Sequence, residues 1–253
     1  MKSFRLIQFT DTHLFGNPNA GFRGVATYPA LQAAITHADQ RFAARDAILL
    51  TGDLVQDDPA GYQLVGEAFG ASKVPVYCLP GNHDLPEQMR AALNREPFHI
   101  CGTPQFGTWT VVLLDTYKAG SAGGRLGGEQ LRRLRETLQE RENSHVMLCL
   151  HHQPIAMRSR WLDNVGLEDA AELLALIAAH ANVRAVLWGH VHQSLDSFER
   201  GVHFMSTPAT CAQFLPRSDG FALDRRPPGY RVLDLMPDGT VSTEIVWLET
   251  APA

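Results

Sequence analysis

The sequence alternates short apolar runs, rich in Val, Ile and Leu, with longer amphipathic segments, and this alternation most constrains the fold. The apolar runs have the length of buried strands and cover residues 4–10, 47–51, 74–80, 110–115, 145–150 and 184–188. The amphipathic segments place apolar residues on one helical face and cover residues 27–43, 127–142 and 167–181. Strands that alternate with helices predict βαβ units around a mostly internal sheet, so the predicted fold class is α/β.

The last third of the chain has a different pattern. Residues 202–209 and 230–248 have the composition of strands, and the turn sequence Pro237-Asp238-Gly239 predicts a hairpin within the second range. Residues 207–230 are irregular and Pro-rich. No linker-like shift in composition divides the chain, so we predict one domain over residues 1–253.

Composition and charge argue against several classes of protein. Of the 253 residues, 45% are hydrophobic and 19% are charged, the balance of a globular protein. The formal net charge of -5 gives no reason to expect a nucleic-acid or anionic-membrane partner. No apolar run approaches the roughly 18 residues of a membrane span, and we expect no signal peptide. The four cysteines form no disulfide pattern, which favours a reducing, cytoplasmic location.

Polar side chains follow five of the apolar runs at the point where each run ends. They are Asp11 and His13, Asp53, Asn82 with His83 and Asp84, His151 with His152, and His190 with His192. In open α/β sheets the ligand crevice lies outside the carboxyl ends of the strands, so these side chains are predicted to converge. Each fragment alone is weak, because short motifs often match by accident. Five fragments in order, where packing alone would place Val or Leu, predict a shared polar site.

This set of donor groups predicts metal binding. Imidazole, carboxylate and amide groups together suit Fe, Mn, Zn or Co, whereas oxygen ligands alone would suit Mg or Ca. The donors outnumber the ligands that one ion needs, so two ions are predicted. Gly52, Gly81 and Gly189 precede three of the donor sequences and would let the backbone turn sharply as it leaves each strand.

Taken in order, the motifs Asp-x-His, Gly-Asp, Gly-Asn-His-Asp, a strand-end His and Gly-His-x-His resemble those of the calcineurin-like metallophosphoesterase superfamily. The resemblance spans residues 11–192. Longer stretches, among them TGDLVQDDPAGY, TPATCAQFLPRSDGFALD and PGYRVLDLMPDG, are similar to a narrower group, the bacterial class III cyclic nucleotide phosphodiesterases. The resemblance implies a two-sheet β sandwich flanked by helices. It also implies hydrolysis of 3′,5′-cyclic AMP to 5′-AMP by a hydroxide that bridges two metal ions.

The resemblance also assigns metal ligands to positions of this sequence. The implied ligands are Asp11, His13 and His192 for a first ion, Asn82, His151 and His190 for a second, and Asp53 as the bridge. Two prolines usually follow the histidine pair in the family, whereas this chain has Gln153 and Pro154. His151 is therefore the expected ligand and His152 the alternative, with Fe and Mn as the favoured ions.

The resemblance gives His83 a catalytic role, and Asp84 is expected to support it by holding the His83 ring through a hydrogen bond. Asp84 could instead cap the helix predicted to begin near Pro86. Among loop residues, Arg23 is a candidate for contact with the phosphate and Trp161 for stacking on the base. The other expected substrate contacts are His13, Asn82, His83, His152 and His192.

The sequence leaves three functions open. The first is a cyclic AMP phosphodiesterase, and the second is a broad phosphodiesterase that prefers 2′,3′-cyclic nucleotides or glycerophosphodiesters. The third is a metal-bound regulatory module without turnover, which the complete ligand set and the presence of His83 disfavour. The expected partner is a small cyclic nucleotide, with neither nucleic acid nor membrane, and the sequence does not determine the oligomeric state.

Overall fold

The computed structural model describes residues 2–248, which form two six-stranded sheets packed face to face, with helices on the outer side of each sheet. The helices are α1 (Thr27–Arg41), α2 (Gly61–Phe69), α3 (Pro86–Leu93), α4 (Gly127–Glu140), α5 (Arg160–Asp163) and α6 (Ala170–Ala178). The strands are β1 (Phe4–Phe9), β2 (Gly21–Phe22), β3 (Val25–Ala26), β4 (Ala47–Thr51), β5 (Val76–Leu79), β6 (Phe98–Ile100), β7 (Gln105–Phe106), β8 (Trp109–Leu113), β9 (His145–Leu150), β10 (Val183–Trp188), β11 (Leu195–Glu199), β12 (Val202–Ser206), β13 (Gln213–Phe214), β14 (Leu223–Asp224), β15 (Gly229–Leu235) and β16 (Val241–Trp247). The predicted two-sheet sandwich flanked by helices is confirmed.

The first sheet has the strand order β16-β15-β1-β4-β5-β6. Its strands β1, β4, β5 and β6 are parallel, and β15 and β16 form the antiparallel hairpin predicted from the turn at Pro237. Every residue of β4 is buried, since helices cover one face of the sheet and the second sheet covers the other. This double burial explains why the strand sequence is continuously apolar instead of alternating.

The second sheet has the order β11-β12-β10-β9-β8-β7. The central strands β12, β10, β9 and β8 are parallel, and the two edge strands are antiparallel to their neighbours. Between the sheets, Leu49, Trp109 and Leu187 belong to one buried apolar cluster. Outside them, Ile48 of the first sheet packs in a cluster with α1, α2 and α3, and Leu148 of the second packs with α4 and α6.

Both sheets end their central parallel strands at the same end of the sandwich. The loops that follow β1 and β4 are joined there by a hydrogen bond from Asp11 N to Gly52 O (3.0 Å). The loops that follow β9 and β10 are joined by a bond from Gly189 N to His151 O (3.2 Å). A third bond, from His151 Nδ1 to Thr51 O (2.8 Å), connects the two sheets. The predicted convergence of strand ends therefore occurs across both sheets.

Some expectations change in detail. The third amphipathic segment forms a helix only over Ala170–Ala178, shorter than the predicted 167–181. The irregular segment 207–230 contains the two-residue strands β13 and β14, which are too short to produce a periodic pattern in the sequence. The single domain expected over residues 1–253 stays a prediction, and its last five residues lie outside the described part of the chain. Within residues 2–248, no helix combines the length and apolarity that crossing a membrane requires.

Candidate metal centre

The seven expected metal ligands lie together where the parallel strands end. The first sheet supplies Asp11 and His13 after β1, Asp53 after β4 and Asn82 after β5, and the second supplies His151 after β9 and His190 and His192 after β10. Six of them are buried, and Asn82 is half-buried. Donors expected to share one ion thus come from both sheets.

The rings of His13 and His192 face each other through their Nε2 atoms, which are 3.1 Å apart. In each ring the other nitrogen lies against an oxygen, Gln56 Oε1 for His13 and Ala212 O for His192, both at 2.7 Å. The Nδ1 atoms therefore carry the donated protons, so each Nε2 atom presents a lone pair when its ring is neutral. Two lone pairs at this distance repel unless a cation or a proton lies between them, so the pair fits a metal ion.

Two carboxylates complete this group. Asp11 Oδ1 is 3.3 Å from His192 Nε2, and Asp53 Oδ2 is 3.7 Å from His13 Nε2. The same Asp53 oxygen lies 3.3 Å from Nε2 of His151. Asp53 therefore stands between the donors expected for the first ion and those expected for the second, as a bridging ligand must.

The second group contains buried polar atoms without a hydrogen-bond partner. Considering residues 2–248, these are Asn82 Oδ1 and the Nε2 atoms of His152, His190 and His151, the last of which lies 3.3 Å from Asp53 Oδ2 without a hydrogen bond to it. Ligand nitrogens of the three histidines lie within 4.8 Å of one another. A buried polar atom without a partner is costly, and four in one place need a compensating group. A transition-metal ion fits this set of nitrogen and oxygen donors.

The distance to His190 does not decide whether His151 or His152 is the metal ligand. The ring centroids of His151 and His152 lie 5.1 and 4.6 Å from that of His190. Of the two, only His151 also lies against Asp53. Its Nδ1 donates a hydrogen bond to Thr51 O, which leaves Nε2 available to bind an ion. His152 has its Nδ1 against Thr116 Oγ1 at 2.8 Å. These contacts favour His151 as the ligand.

Burial and neighbouring charges set the protonation of these histidines. Burial lowers the pKa of His13 to about 4 and that of His190 to about 3, so both are neutral near pH 7. Burial also disfavours the charged form of His151, but the Asp53 carboxylate outweighs it and raises the pKa to about 9. Asp11 likewise outweighs burial and raises the pKa of His192. Because a ligand imidazole must be neutral, metal binding would release these two protons.

The backbone at the centre is unusual. Five of the expected ligands have a left-handed backbone: Asp11 (φ 53°), His13 (φ 44°), Asp53 (φ 51°), His190 (φ 64°) and His192 (φ 47°). This region is uncommon for residues other than glycine, and such conformations concentrate at functional sites. A Cβ on Gly81 would lie 2.2 Å from Asp53 Oδ1, so the close approach of the two loops requires a glycine here.

His83 lies at the edge of the centre with about a third of its side chain exposed. Its Nδ1 is 2.9 Å from Asp57 Oδ2 and 2.9 Å from Gln56 Nε2. Gln56 also accepts a hydrogen bond from His13 Nδ1 through Oε1, so one amide links an expected ligand to the expected catalytic histidine. Sequence reasoning missed Gln56 and Asp57, although both follow Asp53 within the stretch TGDLVQDD.

The two expectations for Asp84 are both wrong. Its oxygens accept hydrogen bonds from Leu54 N (3.1 Å), Gly81 N (2.9 Å) and Tyr62 Oη (2.9 Å), which leaves the His83 ring to Asp57. It does not cap α3 either, because the residue before that helix is Leu85. Burial, with a further contribution from Asp53, raises the pKa of Asp84 to about 6. Asp84 is a positioning residue that ties the loop after β4 to the loop after β5.

The two further candidates for substrate contact lie outside the ligand cluster, in a group of aromatic rings. Arg23 is in the turn between β2 and β3, whereas Trp161 is in helix α5 and not, as expected, in a loop. We define the aromatic wall as Phe22, Phe214, Phe221 and Trp161. Phe22 stacks on His13 (centroids 4.3 Å, planes 4° apart), and Phe214 stacks on His192 (4.0 Å, 11°). The guanidinium of Arg23 lies over the rings of Phe22 (5.5 Å) and Phe221 (4.8 Å). Trp161 is half-buried with its ring 5.2 Å from Phe214.

Relatives with known names match nearly the whole chain. A Haemophilus influenzae protein called 3′,5′-cyclic adenosine monophosphate phosphodiesterase CpdA is 37% identical over 98% of this chain and 91% of its own length. The protein of that name from Escherichia coli K12 is 37% identical over 95% of this chain and 88% of its own length. A Nostoc protein called 3′,5′-cyclic-nucleotide phosphodiesterase alr5338 is 32% identical, with coverage of 95% and 91%.

Solved structures share the fold at low sequence identity. A dimetal phosphatase from Danio rerio superposes with a TM-score of 0.66 at 14% identity, covering 92% of this chain and 96% of its own. TT1561 of Thermus thermophilus superposes with a TM-score of 0.60 at 16% identity, with coverage of 96% and 99%. The profile of the calcineurin-like phosphoesterase family matches residues 4–194, a range that contains all seven expected ligands. This chain belongs to the calcineurin-like phosphoesterase family.

Proposed function

We propose that this chain is a metal-dependent phosphodiesterase that hydrolyses 3′,5′-cyclic AMP to 5′-AMP in the cytoplasm. The observation that carries the proposal is the set of buried lone pairs, from both sheets, that converge on Asp53. Such a set is suited to holding two positive ions beside a crevice, which is what an anionic diester requires. The named relatives support the choice of cyclic AMP among diesters, because the similarity extends over nearly the whole chain.

The proposed ligands follow the geometry. We propose that Asp11, His13 and His192 hold one ion, that Asn82, His151 and His190 hold the other, and that Asp53 contacts both. The mixed nitrogen and oxygen donors favour Fe or Mn over Mg or Ca. When bound, two such ions polarise the phosphoryl oxygens and lower the pKa of a water molecule that serves as nucleophile.

We assign protonation of the leaving group to His83. In cyclic AMP the leaving group is the ribose 3′ oxygen, which needs a proton as its bond to phosphorus breaks. Asp57 and Gln56 occupy the Nδ1 side of the His83 ring, so Nε2 is the nitrogen left to face a substrate. Asp53 Oδ1 accepts a hydrogen bond from His83 N (2.8 Å) and fixes the backbone at this point. These contacts support the proposal that His83 gives the departing oxygen its proton.

Metal reconstitution followed by a substrate panel tests the proposal. The panel contains 3′,5′-cyclic AMP, 2′,3′-cyclic AMP, a glycerophosphodiester and a phosphomonoester. We expect the highest kcat/KM for 3′,5′-cyclic AMP and more than one transition-metal ion per chain by elemental analysis. A higher kcat/KM for the 2′,3′ isomer or the glycerophosphodiester would indicate a broad phosphodiesterase instead. Two bound ions without turnover of any diester would indicate a regulatory module.

A further inference from the structure

Exposed apolar side chains are concentrated on one hairpin. Across residues 2–248, the large hydrophobic side chains that are exposed are Phe198, Leu215, Phe221 and Leu223. Three of these four belong to β13, β14 or the loop between them. A local concentration of exposed apolar groups marks a binding surface more often than a scattered one does.

This hairpin lies directly beside the metal centre. Its residue Phe214 stacks on the ring of His192, a proposed ligand, at 4.0 Å. The ring of Phe221 packs edge-on against Phe214 at 5.4 Å. Two ring contacts thus connect a proposed ligand of the first ion to an exposed aromatic side chain.

The surroundings of Phe221 fit a planar ligand. Trp161 packs edge-on against the ring at 5.4 Å and 77°, so Trp161 and Phe214 both support Phe221 through ring contacts. Phe221 nevertheless remains 47% exposed. The guanidinium of Arg23 lies 4.8 Å above the ring and is itself exposed, so this flexible side chain can give up its position to a base. Aromatic rings and guanidinium planes are the two kinds of surface on which bases stack.

We infer that Phe221 is the stacking platform for the nucleobase of the substrate, with Trp161 as its support. The inference rests on the proposed function, because it takes a nucleoside phosphate as the ligand of this site. It differs from the sequence expectation, in which Trp161 itself contacted the base. The apolar hairpin would make the chain discriminate between a nucleotide and a phosphate that carries only a sugar.

Binding of the product 5′-AMP and of ribose 5-phosphate, an analogue without the base, to the metal-loaded protein isolates the contribution of the base. Dissociation constants for 5′-AMP and for ribose 5-phosphate are measured by calorimetry on the wild type and on Phe221→Ala, Phe221→Tyr and Phe198→Ala. The tyrosine variant keeps the aromatic plane. Phe198 is a matched control, because it is an exposed phenylalanine on edge strand β11, paired with His203 away from the strand ends that carry the ligands.

Removal of a stacking ring typically weakens base binding by about 5- to 150-fold. We expect a loss in that range for 5′-AMP in Phe221→Ala, and a change within about twofold for ribose 5-phosphate, on the basis of the same stacking contribution. The tyrosine and Phe198 variants should bind both ligands as the wild type does. An equal loss of affinity for both ligands, or no loss of affinity for 5′-AMP, would contradict the assignment of Phe221 as the stacking platform.

The binding measurements, together with the substrate panel, separate this inference from the proposed function. If the wild type does not hydrolyse 3′,5′-cyclic AMP but Phe221→Ala still weakens 5′-AMP selectively, the proposed function fails and the platform stands. If the wild type hydrolyses 3′,5′-cyclic AMP and Phe221→Ala binds 5′-AMP normally, the platform fails and the proposed function stands.

Discussion

The metal centre and the aromatic wall touch each other through two stacked pairs of rings, yet they are built in opposite ways. The centre is polar and buried, and it stands at the ends of strands from both sheets. The wall is apolar and partly exposed, and half of it lies in the two-residue strands β2 and β13. A buried polar centre fixes reacting atoms in place, whereas an exposed apolar surface distinguishes between ligands.

This difference in construction indicates that the metal centre carries out the reaction and that the aromatic wall selects the substrate. A change in the centre should reduce the turnover of every diester, since all of them present the same phosphate. A change in the aromatic wall should alter the ratio of kcat/KM between substrates. It should leave the hydrolysis of a diester without a nucleobase almost unaffected. The following variants test this separation.

The largest effect is expected from Asp53→Asn, which keeps the size of the side chain and removes the charge shared by both ions. We expect kcat to fall by roughly 10²–10³-fold or more on every diester, the scale of losing one charge-stabilising group. His13→Asn, which touches only the first ion, is the comparison variant. Excess metal should partly restore His13→Asn and restore Asp53→Asn less. Equal recovery of both would show that Asp53 does not bridge.

His83→Ala should lose about 10²–10⁴-fold in kcat/KM on 3′,5′-cyclic AMP, the usual contribution of a general acid. A diester with a nitrophenolate leaving group needs no proton as its bond breaks, so its hydrolysis should fall far less. Elemental analysis checks that the variant keeps its metal. If both substrates lost the same factor, His83 would be a phosphate contact and not the acid.

His151→Ala and His152→Ala should differ, although the residues are adjacent. Loss of His151 removes a proposed ligand, so the second ion should no longer be retained during gel filtration. His152 lies beside the ligands and is held by Thr116, so its loss should weaken metal affinity or activity by about 10- to 100-fold, as changes around metal ligands do. Retention of both ions by His151→Ala, with loss of one from His152→Ala, would reverse the assignment.

Arg23→Ala should have the smallest effect and tests the boundary between the two regions. The contact of an exposed guanidinium with an aromatic ring is weak, about 0.5–1 kcal/mol. Because a base would have to displace Arg23 from the Phe221 ring, we expect KM for 3′,5′-cyclic AMP to fall by about two- to fivefold and KM for a glycerophosphodiester to remain almost unchanged. A similar loss on both substrates would mean that Arg23 contacts the phosphate, as the sequence suggested.

The sequence predicted which side chains converge, because those side chains follow the ends of strands. Parallel strands that point the same way must release their next residues at one edge, so Asp11, Asp53 and His151 could be placed together before any contact was known. The same reasoning could not identify Asp57 as the partner of His83 or Asp84 as a link between loops. Those contacts depend on how two loops from different strands fold over each other.

Most of the aromatic wall could not be predicted from the sequence, for a different reason. Phe214 and Phe221 lie in the Pro-rich segment 207–230, where strands of two residues leave no periodic pattern of apolar residues. Trp161 and Arg23 were identified as loop residues, but their neighbours come from distant parts of the sequence. Exposure of Phe221 is also a tertiary property, because most phenylalanines in such a chain are buried.

The left-handed backbone at five of the expected ligands restricts which amino acids those positions accept, whatever the metal does. At these positions a library of variants selected only for stable expression should favour glycine, asparagine and aspartate over alanine, and should reject valine and isoleucine. In such a library, Asp11 and His192 would look intolerant of substitution even without any selection for activity. Intolerance there would therefore report chain geometry as well as chemistry, and only variants that keep the backbone, such as Asn for Asp, separate the two.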